Sequence, residues 1–249
     1  MRCILRSVQE IRVGPMQIID RVSAPANCWS CGQEVADGQP FCVSCGKVQP
    51  PQQAGYFGMF GLPPKLDLDV QALEKQFYRY SRKLHPDVYA RATQQEQEWS
   101  LSQASLLNDA YRTLKNPVER TKYLLKLEGV QFEEDRGAGN LNPSKVPPDL
   151  LEEVFELNMQ LEELRQNQKL GEDDPQLRRD LEAAKNQFAA QLNALDEQVR
   201  SRWSAWDAAW EQNDEARKTA AKEAMTSLLQ RRSYLQNLVR DVEQTLGES

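Results

Sequence analysis

The sequence has a single histidine, His85, among 249 residues, and no long apolar run. No stretch approaches the roughly 18 apolar residues of a bilayer-spanning helix, so we predict no membrane span. The net charge of −6 argues against a general nucleic-acid binder. A lone histidine without other candidate ligands is rarely a metal site, and no adjacent motif supplies a nucleophile. The composition therefore favours a globular protein without a membrane or nucleic-acid partner.

A secretory signal is also absent. Residues 1–27 contain four arginines against one glutamate and one aspartate, with scattered aliphatic residues and no continuous apolar core. A disulfide framework is therefore not expected. The segment has the composition of an organellar transit peptide, and an ordinary disordered leader fits it as well. The first interpretation places the protein in the mitochondrial matrix, and the second leaves it in the cytoplasm.

Four of the five cysteines form two Cys-x-x-Cys pairs, while Cys3 stands alone. The pairs follow the pattern C-x2-C-x10-C-x2-C and consist of Cys28, Cys31, Cys42 and Cys45. The two-residue spacing lets both thiolates of a pair face one ion, and a glycine after each pair permits the tight turn. Four thiolates suit a closed structural Zn²⁺ site, on which the folding of so short a module would depend. A redox-active dithiol or an iron in the same cage remains the alternative.

Residues 69–84 read as one helix with two contrasting faces. At about 100° per residue, an apolar stripe collects on one side: Val70, Leu73, Phe77, Tyr80 and Leu84. Four cations collect on the other side: Lys75, Arg79, Arg82 and Lys83. Exposure to solvent is the ordinary fate of such charges. In an acidic protein, however, so concentrated a basic face indicates a docking surface for an acidic partner.

The tripeptide His85-Pro86-Asp87 lies where this helix must end, because proline pushes the preceding residue out of α geometry. A second helical pattern over residues 104–114 can pack against the first stripe, which predicts an antiparallel hairpin with the tripeptide in its connecting loop. A helix capped by Asn116-Pro117 follows. By itself the tripeptide is weak evidence, and a loop histidine without a role is the plain alternative.

From residue 149 the pattern is helical to the end, with breaks near 171–175 and 212–214. The first of these helices has a complete core-facing stripe: Leu150, Val154, Leu157, Leu161 and Leu164. A second apolar stripe, Leu151, Phe155 and Met159, is centred about 140° away. Either the buried face is unusually wide or this stripe binds a partner. Trp203, Trp206 and Trp210 are interpreted as core, and a last helix over 214–246 completes a three-helix bundle.

Several motifs together resemble a known family. They are "YF-x-x-F-GLP" at 56–63, "FYRYSRKLHPD" at 77–87, "LNDAY" at 107–111, "NP-x-x-R" at 116–120 and "YLL-x-L-x-G" at 123–129. This set resembles the J-domain of J-type co-chaperones, and specifically the HscB family devoted to iron–sulfur cluster assembly. The resemblance covers about residues 56–247. The paired Cys-x-x-Cys module is similar to that of animal and related eukaryotic members.

The resemblance implies a role for each surface. The basic face would approach an acidic surface of an Hsp70 ATPase domain, and His85, Pro86 and Asp87 would speed hydrolysis of the ATP bound there. Leu151, Phe155 and Glu156, with Tyr234 on the last helix, would bind the iron–sulfur cluster scaffold protein, and Met159 continues this apolar line. The family usually has a methionine where this chain has Glu152 and an acidic residue where it has Met159, so the individual contacts stay open.

We therefore expect a mostly α chain with a small zinc-ribbon-like module, a J-domain helical hairpin and a C-terminal three-helix bundle. The expected division is a leader at 1–27, the zinc module at 28–49, the J-domain at 54–130, a linker at 131–147 and the bundle at 148–247. The function would be that of a non-enzymatic activator of a partner ATPase, with no catalytic residues of its own. A general J-protein with another client and a thiol or metal redox protein are the alternatives. The sequence leaves a homodimer open.

Overall fold

The structure is a computed structural model that describes residues 26–52, 55–132 and 148–247. Cys3 and nearly all of the expected leader lie outside these ranges, as does the expected linker beyond residue 132. Within the described residues the chain consists of a small cysteine-containing module followed by eight α-helices. The expected fold class is thereby confirmed. None of the described helices combines the length and the apolar character that crossing a membrane requires.

The cysteine module contains one two-stranded antiparallel sheet. Strand β1, Ala26–Asn27, pairs with β2, Glu34–Val35, and an isolated bridge joins Phe41 to Val48. The sheet thus begins two residues before the position at which we expected the module to start. Val48 is fully buried and belongs to the same core as the helices that follow, so the module packs on them directly.

Helices α1 to α4 follow the cysteine module. Their bounds are α1 Tyr56–Met59, α2 Val70–Lys83, α3 Gln94–Lys115 and α4 Pro117–Leu127. The predicted caps are present: the Asn116 side chain accepts hydrogen bonds from the backbone N–H of Val118 and Glu119, with Pro117 in the first turn. Gly129, in the left-handed region at φ +83°, follows the end of α4.

Helices α2 and α3 form the expected hairpin. Leu73, Tyr80 and Leu84 of the predicted apolar stripe are buried, and they share one core with Leu107 and Leu114 of α3. Between the two helices, the rings of Phe77 and Tyr111 stack with their centroids 4.0 Å apart and an interplanar angle of 12°. The hairpin therefore buries the apolar stripe and turns the opposite face of α2 outward.

The C-terminal part contains helices α5 to α8. Their bounds are α5 Leu151–Leu170, α6 Pro175–Ser201, α7 Trp203–Glu211 and α8 Glu215–Leu246. Helices α5, α6 and α8 enclose one core, which is the predicted bundle. Asp149 pairs with Arg231, and Arg165 donates to Thr245, so α8 runs in the same direction as α5.

The interpretation of the tryptophans needs a correction. Trp206 is fully buried, but Trp203 and Trp210 are only half-buried, and Trp206 belongs to the core shared with helices α1 to α4 rather than to the bundle core. The Trp203 indole N–H donates to Thr121 Oγ1 of α4 at 3.1 Å. The physical reason is that α6 ends at Ser201, so the tryptophans lie on a separate short helix and not on a continuation of the bundle helix.

Candidate functional site

The four predicted cysteine ligands converge. Their sulfur atoms all lie within 4.8 Å of one another, with Cys28 Sγ 3.6 Å from Cys45 Sγ and Cys31 Sγ 3.7 Å from Cys42 Sγ. Metal–thiolate bonds of about 2.3 Å in a tetrahedral site place neighbouring sulfurs about 3.8 Å apart. The cage therefore has the dimensions of a four-thiolate metal site, and the four thiols are positioned to bind a metal ion.

Two matching turns build this cage. The backbone N–H of Gly32 donates to the carbonyl of Cys28, and that of Gly46 donates to the carbonyl of Cys42, both at 2.9 Å. Both glycines have a φ of +74°, the left-handed region in which an ordinary residue would be strained. The Gln49 side-chain amide lies 3.4 Å from Cys28 Sγ and donates to it. Each Cys-x-x-Cys pair is thus held by its own backbone turn.

The thiols differ in acidity. Burial raises the pKa of Cys28, but hydrogen bonds from the backbone N–H of Cys31 and Ser30 and from the side chains of Cys45 and Gln49 together outweigh it and lower the pKa to about 6. For Cys31, the backbone N–H of Gln33 lowers the pKa, while burial and the three neighbouring sulfurs raise it to about 12. A bare cage cannot carry four negative charges so close together, and a bound cation removes that repulsion.

The basic face of α2 is open to solvent. Lys75, Arg79, Arg82 and Lys83 are all exposed, and none of them forms an ion pair with another described residue. Glu74, at the margin of this face, is instead held by Tyr111 and Lys115 of α3, which lower the pKa of its carboxyl. The positive charge of the face is therefore not neutralised within the described part of the chain, which favours an acidic partner.

The His-Pro-Asp loop is exposed at the end of this face. The side chains of His85 and Asp87 are 60% and 89% exposed, and Pro86 and Val88 are exposed beside them. His85 Nδ1 accepts a hydrogen bond from the backbone N–H of Asp87 at 3.3 Å. The same Nδ1 lies 3.4 Å from Asp87 Oδ2, so both polar side chains of the tripeptide lie close together at the surface.

The exposed loop begins directly after a buried residue. Leu84, the residue that follows α2, is fully buried, and its carbonyl accepts a hydrogen bond from Ser100 Oγ of α3 at 2.8 Å. A single 3₁₀ turn, Pro86–Tyr89, then carries the chain onward, and Thr93 caps α3. The exposed tripeptide is therefore presented on a short, hydrogen-bonded segment rather than on a long free loop.

On α5 the structure separates the two apolar stripes. The five leucine and valine residues of the predicted core stripe are at most 4% exposed. Leu151, Phe155 and Met159 are 51%, 68% and 60% exposed, and we name these three residues the apolar ridge. The alternative of one wide buried face is therefore wrong within the described residues. Three neighbouring apolar side chains on one exposed helix face are typical of a protein-binding surface.

Glu156 and Tyr234 occupy different environments beside the ridge. Glu156 is exposed and lines a surface groove between α5 and α6 together with Glu153 and Asp180. Tyr234 is half-buried against the bundle core, and its buried hydroxyl has no hydrogen-bond partner among the described residues. Burial raises the pKa of Tyr234. Glu156 is therefore exposed, as the ridge is, whereas Tyr234 exposes only part of its ring.

Sequence reasoning missed how helices α2 to α4 and the segment before α2 are attached to the rest of the molecule. On the bundle side, the Arg120 guanidinium is buried over the Trp203 ring at 4.7 Å, and the Asp207 carboxylate accepts the backbone N–H groups of Leu66 and Asp67, each at 2.9 Å. On the other side, Lys47 of the cysteine module pairs with Glu96 of α3 at 2.7 Å. These polar contacts join residues far apart in the chain, and no local pattern announces them.

Curated relatives share sequence with most of the chain. The chain is 30% identical over 178 residues to the iron–sulfur cluster co-chaperone protein HscB homolog of Arabidopsis thaliana, a match that covers 70% of this chain and 67% of that protein. It is 30% identical over 180 residues to the iron–sulfur cluster co-chaperone protein HscB of Mus musculus, with coverage of 71% and 73%. No protein-family model matches the sequence.

Solved structures share the fold. A crystal structure of human co-chaperone protein HscB is similar with a TM-score of 0.58 at 25% identity, and the match covers 88% of this chain and 98% of that one. The chaperone HscB from Vibrio cholerae is similar with a TM-score of 0.54, also at 25% identity, covering 78% and 99%. The likeness thus extends over nearly the full length of both solved chains.

Proposed function

This chain belongs to the HscB family of iron–sulfur cluster co-chaperones, and from this premise we propose that it joins an Hsp70 chaperone to an iron–sulfur cluster scaffold protein. It speeds ATP hydrolysis by the Hsp70 and delivers the scaffold for cluster transfer. The partners, and not this chain, carry out ATP hydrolysis and hold the cluster. One observation carries the proposal: a basic face ending in an exposed His-Pro-Asp loop and an exposed apolar ridge lie on different helices, α2 and α5.

The Hsp70 binds the α2 end of the molecule. The basic face, Lys75, Arg79, Arg82 and Lys83, attracts an acidic surface of the ATPase domain over a distance of about a Debye length, roughly 8–10 Å. His85 and Asp87 then contact the Hsp70 directly, and Pro86 keeps the loop in its turn. Stimulation follows if these contacts are stronger in the hydrolysis-competent conformation than in the resting one, since a ligand shifts an equilibrium only by such a difference.

The scaffold protein binds the apolar ridge. Burying three large apolar side chains that are now more than half exposed provides a favourable contact at about 25 cal/mol per Å² of apolar surface. Glu156 lies next to the ridge, so a scaffold surface with a basic group beside an apolar pocket fits it. The half-buried ring of Tyr234 adds a smaller contribution.

The cysteine module holds a structural Zn²⁺ in this proposal. Four thiolate ligands complete a tetrahedral shell, and a closed shell leaves no position for a substrate. Iron would fit the same cage, so metal analysis of the purified protein decides between them: one zinc per chain in a colourless preparation supports the proposal, and a redox-active iron supports the electron-transfer alternative. The arginine-rich leader at 1–27 is proposed to direct the protein to the mitochondrial matrix.

The test is steady-state ATP hydrolysis by a mitochondrial Hsp70 with the co-chaperone, with the scaffold protein, and with both. The proposal predicts that the two proteins together stimulate more than the sum of their separate effects. His85→Gln removes the stimulation and leaves scaffold binding unchanged, because residue 85 lies outside the ridge.

Two results would contradict the proposal. Equal stimulation by His85→Gln and wild-type protein would show that the loop is not the trigger. Stimulation without any added effect of the scaffold, combined with no scaffold binding, would instead favour a general J-protein that presents another client.

A further inference from the structure

The cysteine module packs across the end of the α2–α3 hairpin at which the His-Pro-Asp loop connects the two helices. On the α2 side, the Phe41 ring lies 5.7 Å from the Tyr80 ring in an edge-to-face arrangement. Lys83 Nζ lies over the same Phe41 ring at 5.4 Å, and Tyr80 donates its hydroxyl proton to Gln39 Oε1 at 3.1 Å. The module therefore grips the last turn of α2, directly before the loop.

The same module also holds the first turns of α3, directly after the loop. Lys47 Nζ pairs with Glu96 Oε1 at 2.7 Å, and the rings of Trp29 and Trp99 meet edge to face at 5.6 Å. Further along α3, the Gln103 side-chain amide donates to the carbonyl of Gln49 at 3.2 Å. Both helix ends that flank the loop are thus attached to one small body.

Glu96 links the module to the cap of α3. Its second oxygen accepts hydrogen bonds from both the backbone N–H and the hydroxyl of Thr93, the capping residue, at 3.2 and 2.9 Å. The Glu96 side chain is only 5% exposed, so without Lys47 its charge would lie buried with no cationic partner among the described residues. The hydrogen bond from Lys47, followed by those from Thr93, keeps the pKa of Glu96 low. Lys47 therefore stabilises the point at which the loop ends and α3 begins.

Two of the module residues that contact α3, Trp29 and Lys47, lie in or beside the turns that hold the cysteine ligands. Trp29 lies between Cys28 and Cys31, and its indole N–H donates to the carbonyl of Val48 at 2.8 Å. Lys47 follows Gly46, and its carbonyl accepts the backbone N–H of Cys42 at 3.0 Å. Loss of the metal would release both turns, because a module this small depends on its ion to fold.

We propose that the cysteine module is a metal-dependent clamp that positions the His-Pro-Asp loop, with Lys47 as the positioning residue that acts through Glu96 and Thr93. The clamp holds both ends of the loop in the conformation that the Hsp70 recognises. Metal occupancy of the module therefore affects the activity of a loop that contains no metal ligand. This inference rests on the proposed function only in treating that loop as the trigger.

The first test is hydrogen exchange of the full chain without any partner. Lys47→Met keeps most of the side-chain volume and removes the charge, so the amides of residues 85–96 should exchange about fivefold faster, while those of α5 and α6 stay unchanged. Chelation of the metal should produce a larger increase in the same segment. Lys47→Arg should restore slow exchange. The matched control is Lys115→Met, which breaks the Lys115–Glu74 pair at the other end of the hairpin and should leave exchange at residues 85–96 unchanged.

The second measurement separates the clamp from the trigger. In Hsp70 ATPase assays, metal-loaded Lys47→Met should need several-fold more co-chaperone for half-maximal stimulation but reach nearly the wild-type maximum, because the loop residues themselves are intact. If wild-type protein fails to stimulate Hsp70 while exchange still responds to Lys47, the proposed function is wrong and the clamp stands. Unchanged exchange at residues 85–96 in Lys47→Met, at full metal occupancy, overturns the clamp.

Discussion

Helices α2 and α5 are built alike toward the core and differently toward solvent. Each buries one stripe of large apolar side chains, such as Leu73 and Tyr80 in α2 or Leu157 and Leu161 in α5. The outward face of α2 has four exposed cations, whereas that of α5 has the apolar ridge. The inward stripe is enough to place a helix in its fold, so the outward face is free to specify a partner.

The two outward faces would bind their proposed partners by different physical effects. A cluster of like charges acts before contact and raises the rate of encounter, and dissolved salt weakens it. An apolar ridge acts only on contact, in proportion to the surface removed from water, and salt affects it little. One end of the molecule is therefore suited to a brief, regulated encounter, and the other is suited to holding a cargo.

The largest difference is expected between buried and exposed residues of α5 itself. Leu157→Ala should lower the free energy of unfolding by about 2–5 kcal/mol, because Leu157 is 2% exposed in the bundle core. Phe155→Ala, two residues away and 68% exposed, should change it by less than about 1 kcal/mol while weakening scaffold binding. Urea unfolding of the two variants measures both values. Similar losses would mean that the ridge is packed rather than free.

A smaller difference is expected in the salt dependence of the two interactions. Raising salt from about 50 to 500 mM should weaken Hsp70 binding about tenfold, because the basic face attracts its partner electrostatically. Scaffold binding should change by less than about twofold over the same range. Titration calorimetry with each partner at several salt concentrations gives the slope of binding affinity against salt for both interactions. Equal slopes would remove the physical distinction between α2 and α5.

Much of this arrangement could be predicted from local patterns. The period of the apolar residues placed α2 and the core stripe of α5, and proline and asparagine at positions 116–117 marked the start of α4. The cysteine spacing predicted the cage, because its ligands are close in sequence as well as in space. Whether the ridge was buried could not be decided, since periodicity shows that a second apolar line exists but not what covers it.

Long-range attachments could not be predicted in the same way. The tryptophan period showed that Trp206 faces a core, but not that this core belongs to the hairpin. The spacing of Thr93 and Glu96 is that of a capping box and could have located the start of α3. Nothing in the sequence announces that Lys47 completes it, because a single lysine 49 residues away leaves no periodic signal.

The proposed function requires one chain to contact two partners, so the connection between helices α1 to α4 and the bundle matters for it. Trp206 is fully buried between them, Arg120 lies over Trp203, and Lys65 pairs with Glu211. A contact made of a buried aromatic residue and several polar bonds holds the two parts in one orientation. These contacts favour a fixed separation between the basic face and the apolar ridge, as the proposed function requires.

The most direct test of the central claim is a mixing experiment. His85→Gln lacks the trigger but keeps the ridge, whereas the triple variant Leu151→Ala, Phe155→Ala, Met159→Ala lacks the ridge but keeps the trigger. If one molecule must hold both partners, Hsp70 with scaffold and an equal mixture of the two variants should show no ATPase stimulation beyond that of the triple variant alone. Stimulation by the mixture at the wild-type level would contradict the claim, because the two surfaces would then work from separate chains.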